Sequence, residues 1–234
     1  MEALTGAVPT EVHDLAAASV RELNQALHTP GVAKRAAHWR VLNPRGAHSV
    51  ACGLNEELTV AVEGHVGYYC AGMNQLAAVT VHGNAGVGVA ENMMSGSVRV
   101  RGNASQSAGA TAHGGLLVIE GDAAARCGIS MKGVDIVVGG SVGHMSAFMG
   151  QAGRLVVCGD AGDALGDSLY EARIYVRGRV KSLGADCVEK PVREEHLAEL
   201  AGLLAAAGMD ADPASFRRYG SARRLYHFQA DNAY

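Results

Sequence analysis

The chain has 234 residues, enough for one large domain, and its 48% hydrophobic but only 5% aromatic content predicts a core of aliphatic side chains. The 20 basic and 23 acidic residues nearly balance, which excludes the charge signature of a nucleic-acid or anionic-membrane partner. There is no signal-peptide pattern or run of about 18 apolar residues, and the five cysteines are unevenly spaced, so we expect a reduced, cytoplasmic protein.

Three segments are predicted: an N-terminal cap at residues 1–38, a repetitive domain at 39–188, and a C-terminal helix with an interface tail at 189–234. In the cap, Ser19 and Glu22 have the spacing of a capping box, which predicts a short helix that ends before the Thr-Pro-Gly at residues 29–31.

Residues 39–57 resemble a degenerate first turn of the repeat. Val41 stands 19 residues before Val60, and Gly53 stands 19 residues before Gly72. The Asn-Pro pair at residues 43–44 interrupts the strand, as suits a terminal turn.

A 19-residue repeat then runs through the chain without insertion or deletion. Branched aliphatic residues stand four and two positions before each repeat glycine, and small apolar residues stand two positions after it, which is the alternation of strands with one buried face. The glycines are predicted to form corners, because glycine adopts positive φ and the Asn or Asp that often follows favours a turn. The seven corner glycines are Gly64, Gly83, Gly102, Gly121, Gly140, Gly159 and Gly178.

Stacking such units predicts an all-β fold, a right-handed parallel β-helix of about seven to eight turns with short helical caps at both ends. A left-handed hexapeptide helix is not favoured, because its turn of about 18 residues has a six-residue sub-period that this sequence lacks. The glycine-rich stretch at 79–96 is then one coil and not a nucleotide loop, whose G-x-G-x-x-G pattern is missing. Asn84 and Asn103 are expected to stack and hydrogen-bond on adjacent turns.

A second helix is predicted after Pro191, where four leucines share one face and Gly208 marks the end. We expect it to cover the last turn of the β-helix, with docking onto a partner as the alternative.

The final segment alternates arginine with aromatic residues, which are the residue types enriched at protein interfaces. We predict an arm that binds a partner, with a solvated tail as the alternative. Deletion of residues 216–234 is therefore expected to release the partner and leave the solenoid folded. The predicted interface residues are Phe216, Arg217, Arg218, Tyr219, Arg223, Arg224, Tyr226, His227 and Phe228.

No catalytic, cofactor-binding or metal-ligating residue is predicted in this chain. A polysaccharide-acting enzyme is the alternative for this fold, because lyases with parallel β-helices use acidic clusters and a basic catalytic residue. We do not favour it, since those enzymes are secreted and build their cleft from long loops. The residues that come nearest to such a site are Asp160, Asp163 and Asp167, with Arg179 or Lys181 beside them.

The repeated V-x-V-x-G-x-x-G turns, with V-E-G-H-V-G at residues 62–67 and G-x-V-G-H-M at 140–145, resemble the β-helix (GXGXG) domain of the glutamate synthase large subunit. A similar domain occurs in the β-helix subunit of formylmethanofuran dehydrogenase, which ranks second. The flanks S-V-R-E-L-N-Q-A-L-H at 19–28 and S-A-R-R-L-Y-H-F-Q-A-D-N-A at 221–233 are most similar to the stand-alone β-helix subunit of N-methylglutamate synthase (methylamine–glutamate N-methyltransferase).

The resemblance implies a cytoplasmic hetero-oligomer in which this chain is a non-catalytic scaffold. It would dock a class II glutamine amidotransferase-like subunit to a synthase subunit that carries FMN and an iron–sulfur cluster, and would hold no cofactor itself. A protein like the β-helix subunit of formylmethanofuran dehydrogenase and a free-standing β-helix enzyme remain the alternatives.

Overall fold

The computed structural model describes residues 10–223 of the chain. This part forms a right-handed parallel β-helix of about seven turns, as the repeat predicts. Strands β1 to β9 pair in chain order and in parallel, and β11 and β10 then complete the sheet in antiparallel pairing. The strands are β1 (Thr10–Asp14), β2 (His38–Leu42), β3 (Thr59–Glu63), β4 (Ala78–Val81), β5 (Ser97–Val100), β6 (Leu116–Ile119), β7 (Lys132–Val138), β8 (Ala152–Val157), β9 (Arg173–Val176), β10 (Cys187–Lys190) and β11 (Arg217–Ser221).

The 19-residue register holds from β3 to β9, except at the start of β7, where Lys132 pairs with Ala152 at a step of 20 residues. Val79 pairs with Val98 and Val81 with Val100, for example, and these aliphatic side chains point into the interior with almost no exposed surface. The small apolar column continues through isolated parallel bridges from Val66 to Val180. The predicted inward columns are therefore confirmed, and they form one continuous core.

The first coil differs from the prediction. Val41 pairs with Val62 and not with Val60, so the step from β2 to β3 is 21 residues. A shift of two residues keeps every side chain on its own face, which is why the hydrophobic alternation could not exclude it. Gly53 does contact Gly72, donating its N–H to the carbonyl of Gly72 at 2.7 Å. The sheet also extends into the predicted N-terminal cap, where β1 pairs with β2.

The corner glycines form a column, since the N–H of Gly102 donates to the carbonyl of Gly83 at 3.0 Å and the pattern repeats to Gly178. Only Gly64 has positive φ, at +139°; the other six do not, so the predicted reason for glycine was wrong. A Cβ on Gly83 would stand 2.7 Å from the carbonyl carbon of Gly64. Glycine is required there because neighbouring coils approach closely.

A polar ladder follows the corner column, as predicted for Asn84 and Asn103. The backbone N–H of Asn103 donates to Oδ1 of Asn84 at 2.9 Å, and the N–H of Asp122 donates to Oδ1 of Asn103 at 2.9 Å. Ser141 and later coils continue the pattern. Each side chain thus satisfies a backbone donor of the next coil.

The wall opposite the corners has a conformation that the sequence did not suggest. Three alternate residues in each coil have positive φ, as at Tyr69, Ala71 and Met73, and most of them are not glycine. Their N–H groups bond to adjacent coils: Tyr69 to the carbonyl of Val87 at 2.8 Å and Ala71 to that of Val50 at 2.9 Å. These inter-coil bonds hold a backbone conformation that costs about 1–3 kcal/mol per residue.

Helix α1 (Val20–Leu27) closes the N-terminal end of the core. Ser19 and Glu22 form the predicted capping box, with the Ser19 N–H donating to Glu22 Oε2 at 2.7 Å. Leu23 and Leu27 are buried against the first coil, and the short helix α2 (Val32–Arg35) follows.

Helix α3 (Glu194–Ala207) begins after Pro191 and ends at Gly208, as predicted. It lies on the outer face of the sheet and not over the last turn, so the expectation of an end cap was wrong. Leu200, Leu203, Leu204 and Ala207 pack on outward-facing residues of four successive strands, which are Val118, Val137, Val156 and Tyr175. These outward side chains are large and apolar in all four strands of this half of the sheet, whereas the other half has Arg40, Ala61, Thr80 and Arg99 at the same position, and that is the signal the sequence-based prediction missed.

Candidate partner interface

The C-terminal segment up to Arg223 is folded onto the solenoid. A short 3-10 helix (Pro213–Ser215) leads into β11, which lies between β9 and β10. Arg218 pairs with Tyr175 on one side and with Lys190 on the other. This strand closes the last turn of the solenoid, because it bonds to the edge that β9 would otherwise expose.

Two of the predicted interface residues pack inside this chain. Phe216 is 4% exposed in the cluster under α3, and Tyr219 is 2% exposed in the main core. Their burial corrects the expectation that these rings are free to anchor a partner. The expected result of deleting residues 216–234 changes as well. This deletion would remove β11 and expose the edge of β9, so the solenoid would not stay intact.

The arginines of the same segment reach the surface. Arg217 is about half exposed, donates to the carbonyl of Gly178 at 2.8 Å and lies over the ring of Tyr219 at 5.9 Å. Arg218 donates to the carbonyl of Pro191 at 3.1 Å, and Arg223 donates to Asp186 at 2.7 Å. These three remain candidates for partner contacts. Arg224, Tyr226, His227 and Phe228 lie outside the described residues, so their role stays a prediction.

A charged cluster fastens α3 to the sheet. Glu199 accepts hydrogen bonds from Tyr175 Oη at 2.7 Å, Arg173 at 2.7 Å and Arg154 at 3.1 Å, and Arg154 also binds Asp135 at 2.7 Å. Burial by itself raises the pKa of Glu199, but these donors outweigh burial and lower the pKa below its usual value. Burial and the neighbouring Glu199 carboxylate raise the pKa of Tyr175.

An open groove of about 550 Å³ borders this cluster, lined by Gly153, Arg154, Glu171, Arg173 and Glu199 among others. Its two arginines are already bound to carboxylates of this chain. These ion pairs therefore hold α3 on the sheet, and they leave little unpaired positive charge in the groove for binding a ligand.

The residues of the polysaccharide-enzyme alternative have structural partners. Asp160 accepts the N–H of Arg179 at 2.7 Å, Asp163 binds Lys181 Nζ at 2.7 Å, and Asp167 accepts the N–H of Ala185 at 3.1 Å. The hydrogen bond from Lys181 is the main cause of the lowered pKa of Asp163. Across residues 10–223, no group of three or more His, Cys, Asp or Glu side chains could hold a metal ion.

The thiols have the electrostatics of core residues. Burial raises the pKa of Cys52 to about 11 and that of Cys127 to about 12, and it raises the pKa of Cys187 to about 11. A reactive or cluster-binding cysteine needs the opposite shift, because the thiolate is the nucleophile and the ligand. These side chains therefore pack as small apolar groups.

Fold and surface define this chain as a closed right-handed parallel β-helix with one helix on its outer face and a terminal strand at its end. No family model matches the chain. It is 63% identical over 223 residues to Protein GlxC of Rhizobium meliloti (strain 1021), a match that covers 95% of this chain and 98% of that protein. The chain belongs to the same family as Protein GlxC. None of the helices within residues 10–223 has the length and apolar content needed to cross a membrane.

Proposed function

We propose that this chain is a non-catalytic structural subunit of a glutamate synthase-like complex, with N-methylglutamate synthase as the specific assembly. In this proposal it docks a class II amidotransferase-like subunit to a subunit that carries FMN and an iron–sulfur cluster, in the cytoplasm. The cofactors and the chemistry belong to the partners.

The observation that carries the proposal is the rigid frame of the solenoid. Inter-coil hydrogen bonds run along the strands, the corner glycines and the polar ladder, so each coil is fixed to the next on every wall. Such a frame holds surfaces on different coils at a fixed separation, which is what a subunit needs in order to orient two larger chains.

The likeness of both flanks to the stand-alone β-helix subunit supports the assembly proposed. The exposed Arg217 and Arg223 and the partly buried Arg218, all at the end of the solenoid, supply one surface for a partner. Arginine is favoured at interfaces because its planar guanidinium binds carboxylates and carbonyls in a defined geometry.

The test is co-expression of the tagged chain with the two subunits proposed as partners. We expect three chains to elute together, with flavin and iron–sulfur absorbance in the complex and none in this chain purified alone. The complex should form N-methylglutamate from methylamine and glutamate, with release of ammonia.

Two results would contradict parts of this proposal. Turnover by the chain alone, or elution of the chain without either subunit, would reject the scaffold role. A complex that forms glutamate and no N-methylglutamate would reject only the specific assembly.

The tail needs its own variant, which should stop after Arg223 so that β11 is kept. Loss of co-elution in this truncation, with an unchanged unfolding curve for the solenoid, would assign partner binding to residues 224–234. Co-elution equal to that of the full chain would reject that role.

A further inference from the structure

Five large apolar side chains are exposed on two neighbouring coils, and we call them the apolar patch. Tyr68 and Leu76 are each 52% exposed, Val87 is 48%, Met94 is 47% and Met73 is 46%. Each lies within three residues of a positive-φ residue of its coil, and none belongs to the apolar cluster under α3.

Backbone hydrogen bonds between the two coils bring these residues together in two groups, Tyr68 with Val87 and Met73 with Met94. The N–H of Tyr69, next to Tyr68, donates to the carbonyl of Val87 at 2.8 Å. The N–H of Met94 donates to the carbonyl of Asn74, next to Met73, at 2.8 Å. The patch therefore spans the step between one coil and the next.

The two coils that carry the patch are almost without charge. Between Glu63 and Arg99 the only Asp, Glu, Lys or Arg is Glu91, whereas 18% of the whole chain is charged. The exposed Glu57 of the preceding coil stands at the repeat position of Leu76 and adds a charge at the edge of the patch. Depletion of charge together with exposed Tyr and Met is the composition of the buried centre of a protein interface. Contiguous exposed apolar surface on a soluble protein also marks an interaction site.

The fold itself does not require these apolar residues. One, two, three and four coils after Val87, the same repeat position holds Gln106, Ala125, His144 and Asp163. The coils that carry these residues keep the same register and the same inter-coil bonds. Since the solenoid accepts polar side chains at this position, the coil does not need an apolar residue at Tyr68 or Val87. Within the chain, Tyr68 packs against the ring of His48, with 4.2 Å between the ring centroids.

We propose that the apolar patch is the docking surface for an apolar, uncharged face of a different protein chain. A partner that brought charges here would bury them without counter-ions, and the loss of their hydration would oppose binding. The inference rests on the proposed function, which supplies the partner as a subunit of the complex. It adds a second surface, several coils away from the arginines of the last coil.

The test is a methionine oxidation footprint of the assembly that the tagged full-length chain forms in its own cells. Met149 is a matched control: it stands at the repeat position of Met73, has a similar φ and is 41% exposed. In the isolated chain we expect hydrogen peroxide to oxidise Met73, Met94 and Met149 at similar rates. In the assembly, Met73 and Met94 should oxidise about tenfold more slowly while Met149 is unchanged, because oxidation follows exposure.

Substitutions provide a second measurement. Leu76→Glu and Met94→Glu should each weaken partner binding about tenfold or more, whereas Met149→Glu should have little effect. The isolated variants should unfold like the unmodified chain, because all three side chains are exposed.

Equal oxidation of the three methionines in the assembly would overturn the inference, as would a chain that occurs in its cells only as a monomer. Protection of Met73 and Met94 already in the isolated chain would assign the patch to a second copy or to this chain itself, and would also overturn it. Protection by a partner that is not glutamate synthase-like would keep the patch and reject the proposed function.

Discussion

The outer face of the sheet has two halves that differ although the repeat behind them is the same. In strands β2 to β5 the middle outward residues are Arg40, Ala61, Thr80 and Arg99, and none of them belongs to the apolar cluster under α3. Arg99 reaches the end of that helix, where it donates to the carbonyl of Ala207 at 3.0 Å. In β6 to β9 the same position holds Val118, Val137, Val156 and Tyr175, which are buried under α3. The inward residues are branched aliphatic throughout, apart from Trp39 at the start.

This difference shows that the inward and outward residues of the same repeat have separate roles. Inward columns determine the coil, its register and its core, and they are indifferent to what lies outside. Outward columns decide whether a further element docks, because only an apolar outer face gains free energy from being covered. A repeat protein can therefore carry different attachments on an unchanged frame.

The largest expected effect comes from placing a charge at the same outward position in each half. Val137→Asp should lower the free energy of unfolding by about 3–5 kcal/mol, because a carboxylate would be buried under α3 without a partner. Thr80→Asp, its matched control in the uncovered half, should change it by less than about 0.5 kcal/mol. Urea unfolding measures both, and equal costs would show that α3 does not protect its half.

Replacing a corner glycine with alanine should cost a similar amount of stability in both halves of the sheet. A Cβ would stand 2.7 Å from the backbone of Gly64 in Gly83→Ala and 2.6 Å from that of Gly140 in Gly159→Ala. Each variant should lose about 1–3 kcal/mol, because the coils must separate to admit the methyl group. Thermal or urea unfolding would detect the loss, and a cost confined to one half would contradict a uniform frame.

The pH dependence of stability should belong to the covered half. The pKa of Glu199 is lower in the folded protein than in the unfolded chain, so its stabilisation is present above the ordinary glutamate value and is lost as pH falls through the folded pKa. Glu199→Gln should cost about 1–2 kcal/mol at neutral pH and flatten the fall in stability below about pH 4.5.

Glu63 is the control for that experiment, because it pairs with Arg40 at 3.1 Å in the uncovered half. Glu63→Gln should change stability by no more than about 1 kcal/mol. Unfolding curves from pH 7 to pH 3 would separate the two, and the assignment to Glu199 fails if both variants keep the acid-induced fall of the unmodified chain.

The smallest expected effect is a gain. Gly202 lies within α3, and a Cβ added there would meet nothing within 4 Å, so Gly202→Ala encounters no obstacle. It should raise stability by about 0.5–1 kcal/mol, because alanine loses less conformational entropy in a helix. A decrease in the melting temperature would mean that the helix contacts something at this position.

Local patterns were enough to predict the coils, the inward columns and both long helices. The period of 19 residues and the alternation at Val79 and Val81 admit few other structures, and the caps at Ser19 and Gly208 have local chemistry. The position of α3 was missed, because it depends on a column that changes character only from Val118 onward.

Three features could not be predicted from the sequence, because they depend on contacts between distant parts of the chain. The step of 21 residues before β3 preserves the faces, so no hydrophobic pattern distinguishes it from 19. Positive φ at Tyr69 or Met73 is imposed by the neighbouring coils, and neither residue favours it locally. The burial of Phe216 and Tyr219 likewise depends on β11 returning to the sheet, which composition cannot reveal.

The polar ladder has a consequence for length. At the corners from Asn84 to Asp160, a side-chain oxygen accepts the backbone N–H of the residue 19 positions later. Each of these coils therefore offers the same acceptor to the coil that stacks on it. The number of coils therefore determines the length of the protein. Inserting one whole 19-residue unit would move its two ends about 4.8 Å further apart and would keep the inward and outward columns in register. The distance between partners bound at opposite ends would then change only in whole multiples of this coil spacing.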